Sequence, residues 1–463
     1  MAEHEEVGPV AGPGRPLRVA VVGAGPAGIY TADHLTAAPR PGEDPLLPHG
    51  ALVDLLERLP VPFGLLRYGV APDHANIKAT GRALGAVLAR PAVRLFGNVE
   101  VGRDVTAEEL LERYDAVVYA LGASQDRALG IPGEELAGSS SATAFVDWYN
   151  GHPESEHPDL VSARSVAVVG VGNVAVDVAR ILVRDPEELS PTDVPQDVLD
   201  ALRHSRVTDV HLLGRRGPQH ARWTTKELRE LGELSGVQVV LDDGELPVED
   251  PEGTAAATAR NLSVLREWAR RAAAPAPRRL HLHFGARPAQ VLGEGRVSGL
   301  RLERADEEGR GTGEHWDLPV DAVLRAVGYR GTVPDGLPFD DARAVIPTEE
   351  HRMVRDGHVV AGVYAVGWIK RGPIGVIGTN RSDAKETVAT IVGDASGLLA
   401  RHRVDPAGVE ALLAERGIRA VDVEGWRRVV AAEAQRGRAH GRGEVKISDW
   451  QQLLDAAQRT ASG

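Results

Sequence analysis

The chain has 463 residues, which at about 150 residues per domain calls for two or three domains. Apolar residues make up 43% and charged residues 26%, values that exclude a disordered or collagenous chain, and the net charge of −13 argues against general nucleic-acid or anionic-membrane binding. Cysteine is absent, which removes disulfides, thiolate zinc sites, cysteine nucleophiles and cysteine-ligated iron–sulfur clusters, so any electrons that pass through must ride on something bound.

Residues 1–16 have no hydrophobic period and read as a flexible lead-in. No stretch approaches the length of a membrane span, and the start lacks the apolar centre of a signal peptide, so a cytoplasmic protein without membrane insertion is expected. From Leu17 the text is a buried-strand run, a glycine turn and a helical period, and a second copy of the same unit begins at Ser165. Further buried strands are expected at Ala51–Glu57, Ala116–Gly122, Val210–Gly214, Ala322–Gly328 and Gly362–Gly367, which together imply parallel sheets. Pro39–Gly50, Gly151–Pro158, Asp185–Pro195 and Ala272–Pro277 read as loops or insertions, and the tail from Arg401 carries helical patterning.

Gly23, Gly25 and Gly28 form GxGxxG between a strand and a helix. Gly23 allows the turn, Gly25 lets a pyrophosphate approach, and Gly28 lets helix and strand pack, so a dinucleotide is expected on the free N–H groups of the helix start. The acid for the ribose hydroxyls would be Glu57, whose late position is explained if Pro39–Gly50 is an insertion; a solvated strand-end carboxylate would read the same way. The second fingerprint is Gly170, Gly172 and Ala175, with Asn173 and Val174 opening the helix. After the next strand come Arg215 and Arg216, where an NAD domain usually carries an acid. Two guanidiniums there suit a 2′-phosphate and favour NADP(H), although solvated loop arginines would look alike in one sequence. Two dinucleotide sites in one chain suggest a flavin exchanging hydride with a nicotinamide.

The segments PFGLLRYGVAPDHANIK from Pro62, GNVAVDVARIL, GRRGPQHARWTTKEL and VGWIKRGPIGVIGTN, taken together, closely resemble the adrenodoxin reductase family, ferredoxin–NADP reductases of glutathione-reductase-like fold, from about Leu17 to Ala456. The resemblance implies an α/β fold of two Rossmann-like doubly wound domains, with an NADP domain (125–327) inserted in a discontinuous FAD domain (17–124 and 328–463). It implies FAD contacts at Gly23, Gly25, Ala27, Gly28, Glu57, Leu65, Gly122, Trp368, Gly375, Val376 and Ile377, and NADP(H) contacts at Gly170, Gly172, Asn173, Val174, Arg215, Arg216, Glu227 and Gly375. His74, Asp177 and Glu227 would form the polar surroundings of the redox centre, with no metal. Without the resemblance, a loop histidine and two solvated helix acids would be the plainer reading. The implied partner is an acidic iron–sulfur ferredoxin meeting a monomer at a basic patch, with Arg266, Arg270 and Arg271, and also Arg229, as candidates; an ordinary solvated basic helix is the competing reading. A flavin-dependent monooxygenase and a non-catalytic dinucleotide-binding sensor share the fingerprints and stay open on sequence.

Overall fold

A computed structural model gives the fold; the described residues are 14–39, 45–158, 160, 162–271, 275–401 and 408–458. Most of the lead-in, residues 1–13, therefore lies outside them. The chain builds two main sheets. The seven-stranded sheet runs Thr348–Glu349, Arg352–Arg355, His358–Ala365, Ala116–Tyr119, Leu17–Val22, Ala51–Glu57, Val93–Gly97, drawing only on the two ends of the chain. The six-stranded sheet runs Ser139–Ser141, Ala322–Arg325, Ser165–Val169, Asp209–Gly214, Arg278–Phe284, Val237–Leu241, all from the middle. Between them the chain crosses at a two-stranded antiparallel ladder, Gln125–Asp126 against Tyr329–Arg330.

Why the strands read as unbroken apolar runs is visible in their burial. Val19 and Val21 enter the core on one face of the first sheet while Ala20 and Val22 enter the core on the other, so no position faces water. The strand before each fingerprint is also the switch strand of its sheet: Leu17–Val22 lies between Ala51–Glu57 and Ala116–Tyr119, and Ser165–Val169 lies between Asp209–Gly214 and Ala322–Arg325. Open α/β sheets bind ligands in the crevice at such a point.

Three features were not anticipated. A three-stranded antiparallel sheet, Ala286–Leu292, Gly299–Ala305 and Gly311–Leu318, covers one face of the second sheet. In the tail, where helices form at Glu410–Glu415 and Trp450–Gln458 as the patterning indicates, a longer helix also spans Val423–Ala439. Its Trp426 packs edge-on against Phe63 at 5.4 Å, so the tail supports the loop that overlies the first fingerprint.

The third is an imidazole ladder: His211 stacks on His281 at 4.4 Å and its Nδ1 lies 3.1 Å from Nε2 of His283, while His281 Nε2 meets Asp209 at 2.8 Å. Burial, reinforced by the neighbouring imidazoles, holds His211 down at about 3, and burial holds His283 down at about 4. The unfolded chain takes up protons on these rings near pH 6.5 and the folded chain does not, so their contribution to stability is complete above that pH and is lost as pH falls toward 4. Denaturant titrations between pH 4 and 7 should show His211→Phe with a shallower acid decline than the parent chain; parallel declines would contradict the assignment.

Candidate dinucleotide and redox site

The first fingerprint folds as an open glycine cradle ahead of a helix. Gly23 has φ +109°, and a Cβ there would lie 2.5 Å from the Ala120 carbonyl oxygen; a Cβ on Gly28 would collide with the carbonyl of Gly23. Gly25 is different: it stands before the Pro26–Leu35 helix without a side-chain cap and with nothing within 4 Å of a notional Cβ. Unpaired N–H groups at the positive end of a helix, with open space before them, are what an anion needs. The loop Phe63–Gly64 closes over this turn, with the Phe63 N–H donating to Ala24 at 2.8 Å, and leads into Leu65 at the start of a short helix. Glu57 ends its strand beside the turn and accepts from the Ala24 and Leu59 N–H groups at 2.8 and 3.0 Å; burial pushes its carboxyl above the ordinary range, against these two hydrogen bonds.

The 367–379 segment comes to the same place. Gly367, φ +76°, sits so close to the first fingerprint helix that a Cβ would lie 2.7 Å from that of Ala27, and its N–H donates to Asp383 at 2.6 Å. Trp368 packs on Tyr329 at 5.7 Å, and its indole N–H is buried without an acceptor among the described residues. In the following turn Gly375 takes φ +89°, Ile377 packs on the first sheet's core, and Ile374 and Val376 stay 68% and 66% exposed. Gly122, φ +74°, likewise has nothing within 4 Å of a notional Cβ. An orphaned indole N–H, exposed aliphatic groups and an open helix start fit a large, partly apolar ligand with a diphosphate and hydrogen-bond acceptors, which is the chemistry of FAD.

The second cradle repeats the first. Gly170 has φ +133° and its Cβ would collide with the Ala326 carbonyl, Ala175 is fully buried, and Gly172 stands open before the Asn173–Val183 helix with no side-chain cap. Asn173 Oδ1 is buried without a partner among the described residues, with Val174 beside it partly buried against the core. Arg215 and Arg216 follow the Asp209–Gly214 strand and have no side-chain hydrogen bond or ion pair among the described residues. Two unpaired guanidiniums beside an open helix start fit the phosphates of NADP(H).

His74 and Asp177 meet: Nε2 lies 2.9 Å from Oδ1. This contact ties the segment leaving the first cradle to the second turn of the helix leaving the second. The hydrogen bond to Asp177 raises the His74 pKa, against burial and the positive charge of Arg180. Arg180, absent from the sequence reading, completes the group: it donates to Asp177 at 2.6 Å and pairs with Asp73, which Arg184 also meets. A charged residue one helical turn after Asp177 inside an apolar helix was the available signal.

Glu227 stands outside that hydrogen-bond network. Its carboxylate accepts from the Thr224 N–H and hydroxyl at 3.2 and 3.1 Å in a capping box for the Thr225–Gly232 helix. On the Ala256–Ala269 helix, Arg266 turns inward to Asp250 at 2.8 Å and the Pro247 carbonyl at 3.0 Å, and Arg271, just beyond the helix, pairs with Glu267 at 2.8 Å. Arg270 is exposed and has no such side-chain partner among the described residues. Among these residues no helix is long and apolar enough to cross a membrane.

Two glycine cradles on two switch strands, joined by a partly buried polar contact, define a two-dinucleotide oxidoreductase, and the family model for pyridine nucleotide-disulphide oxidoreductases matches residues 17–244, spanning both fingerprints. The NADPH-ferredoxin reductase FprA of Mycobacterium tuberculosis is 43% identical over 459 residues, covering 95% of this chain and 99% of that protein. The human mitochondrial NADPH:adrenodoxin oxidoreductase is 42% identical over 464 residues, covering 94% and 91%. The solved structure of M. tuberculosis FprA in complex with NADPH superposes with a TM-score of 0.90 at 41% identity, over 96% of this chain and all of that one. The chain belongs to the adrenodoxin reductase family of ferredoxin–NADP reductases.

Proposed function

We propose that this chain is an FAD-dependent ferredoxin–NADP reductase, and the observation that carries the reading is the 2.9 Å contact between His74 and Asp177, which links the two cradles. FAD, when bound, supplies the chemistry: it exchanges a hydride with NADP(H) and single electrons with an iron–sulfur ferredoxin. The chain supplies position. Gly23, Gly25, Gly28, Ala27, Glu57, Leu65 and Gly122 hold the adenine and diphosphate half of FAD, and Trp368, Gly375, Val376 and Ile377 the ring half. Gly170, Gly172, Asn173, Val174, Arg215 and Arg216 hold NADP(H), with Gly375 where the two ligands approach. The division at 124/125 and 327/328 follows the crossing ladder, so that 125–327 forms the NADP domain.

His74, Asp177 and Arg180 fix the angle between the two halves and set the local field; hydride transfer requires no base. Glu227 first caps its helix, and any contact with the nicotinamide uses the carboxylate lone pairs that the cap leaves free. The enzyme works as a cytoplasmic monomer. An acidic ferredoxin docks beside Arg270, with Arg271 exchanging Glu267 for the partner; Arg266 contributes only by giving up Asp250 and a backbone carbonyl, so its share is the smallest.

The test is NADPH-driven reduction of a ferredoxin panel at rising salt, with ferricyanide as a small-acceptor control. The ferredoxin rate should fall with ionic strength, and Arg270→Glu should lower it several-fold while sparing ferricyanide reduction. Absence of ferredoxin reduction across the panel would overturn the function; an unaffected Arg270→Glu would overturn the docking site alone.

A further inference from the structure

The loop that leaves the Asp209–Gly214 strand returns to the glycine turn of the second cradle. At that point the Arg222 N–H donates to the carbonyl of Val171, between Gly170 and Gly172, at 3.0 Å. The next residue, Trp223, is buried in the core beneath, and its carbonyl accepts from Asn261 at 3.3 Å. The backbone at Arg222 is therefore held on one side by the middle residue of the fingerprint and on the other, through Trp223, by Asn261. Its side chain is exposed, with no hydrogen bond or ion pair among the described residues. In this fold type the diphosphate sits at the fingerprint turn, whereas the 2′-substituent reaches the end of the neighbouring strand, where Arg215 and Arg216 stand.

We propose that Arg222 is a third phosphate-binding arginine of the NADP(H) site, gripping the diphosphate, so that it adds affinity without adding preference for NADP(H) over NAD(H). The division of labour follows from placement: a guanidinium fixed at the glycine turn meets a group both dinucleotides share, and the strand-end pair meets the group only NADP(H) has. Pinning of the backbone lowers the ordering cost of the contact. The inference rests on the second cradle holding NADP(H).

Calorimetric titration of the flavin-loaded protein separates the possibilities with three probes: NADP+, ADP-ribose, which keeps the diphosphate and lacks the 2′-phosphate, and 2′-AMP, which does the reverse. Arg222→Ala should raise the Kd of NADP+ and of ADP-ribose by the same factor, about tenfold, and leave 2′-AMP unchanged; Arg222→Lys should fall between. Arg222→Gln serves as the second variant if the alanine variant loses flavin or thermal stability. An unchanged Kd for NADP+, or a loss shared by NADP+ and 2′-AMP but not by ADP-ribose, would overturn the proposal. The Arg215→Ala/Arg216→Ala chain is the control: if it binds NADP+ and 2′-AMP as the parent does, the assignment of the second cradle to NADP(H) fails instead.

Discussion

Replacing Arg215 and Arg216 together by alanine is expected to raise the Michaelis constant for NADPH by about 100-fold while moving that for NADH by less than about threefold. Both guanidiniums are unpaired among the described residues, so their removal orphans no partner there and costs little stability. What the substitution would remove is the proposed contact with a dianionic 2′-phosphate, for which each charge-assisted hydrogen bond contributes about 1.5–3 kcal/mol. The turnover number should hold, because the proposed role places both residues at the 2′-phosphate and away from the reacting ring. Steady-state kinetics with both nucleotides measure this directly, and an unchanged ratio of kcat/KM for NADPH over NADH would refute the role.

The second large effect is expected at Gly25. Its φ of −75° and ψ of 179° suit any residue, and no atom lies within 4 Å of a notional Cβ. Gly25→Val should therefore leave the flavin-free protein within about 1 kcal/mol of the flavin-free parent, while lowering bound flavin at least about tenfold, because the new methyls occupy the approach of the diphosphate. Gly23→Ala fails in another way. It forces a Cβ into a φ of +109° and against the Ala120 carbonyl, so thermal stability falls along with flavin content. Flavin absorbance per protein, read beside the melting temperatures of flavin-free samples, separates the two; full flavin content in Gly25→Val would contradict the cradle assignment.

The contrast between these glycines explains how much could be read from the chain. Both fingerprints were legible because a glycine turn between a buried strand and a helix has few other uses, and Ala51–Glu57 was placed to the residue because both faces of the strand are buried. The family resemblance points to His74 and Asp177 separately but not to their contact; spacing cannot bring together residues so far apart in the chain. Arg180 is hard to read because a lone arginine in an apolar helix announces no partner: Asp177 lies one turn back on the same helix, but Asp73 lies in another segment. The capping role of Glu227 was available in the Thr224-x-x-Glu227 spacing and went unread beside the stronger family signal. Arg266 looked like a surface charge by helical spacing, yet its acid, Asp250, sits in the preceding loop, where no helix periodicity applies. The three-stranded sheet escaped because Gly311–Leu318 faces solvent along most of its length and offers little apolar alternation.

The most direct test of the two-cofactor arrangement is an anaerobic titration of the purified, flavin-loaded protein with NADPH, followed by absorbance. A yellow chromophore of one flavin per chain is expected, bleaching with close to one equivalent of NADPH and recovering its colour when oxidised ferredoxin is added. A colourless protein, or a flavin that NADPH leaves oxidised, would contradict it.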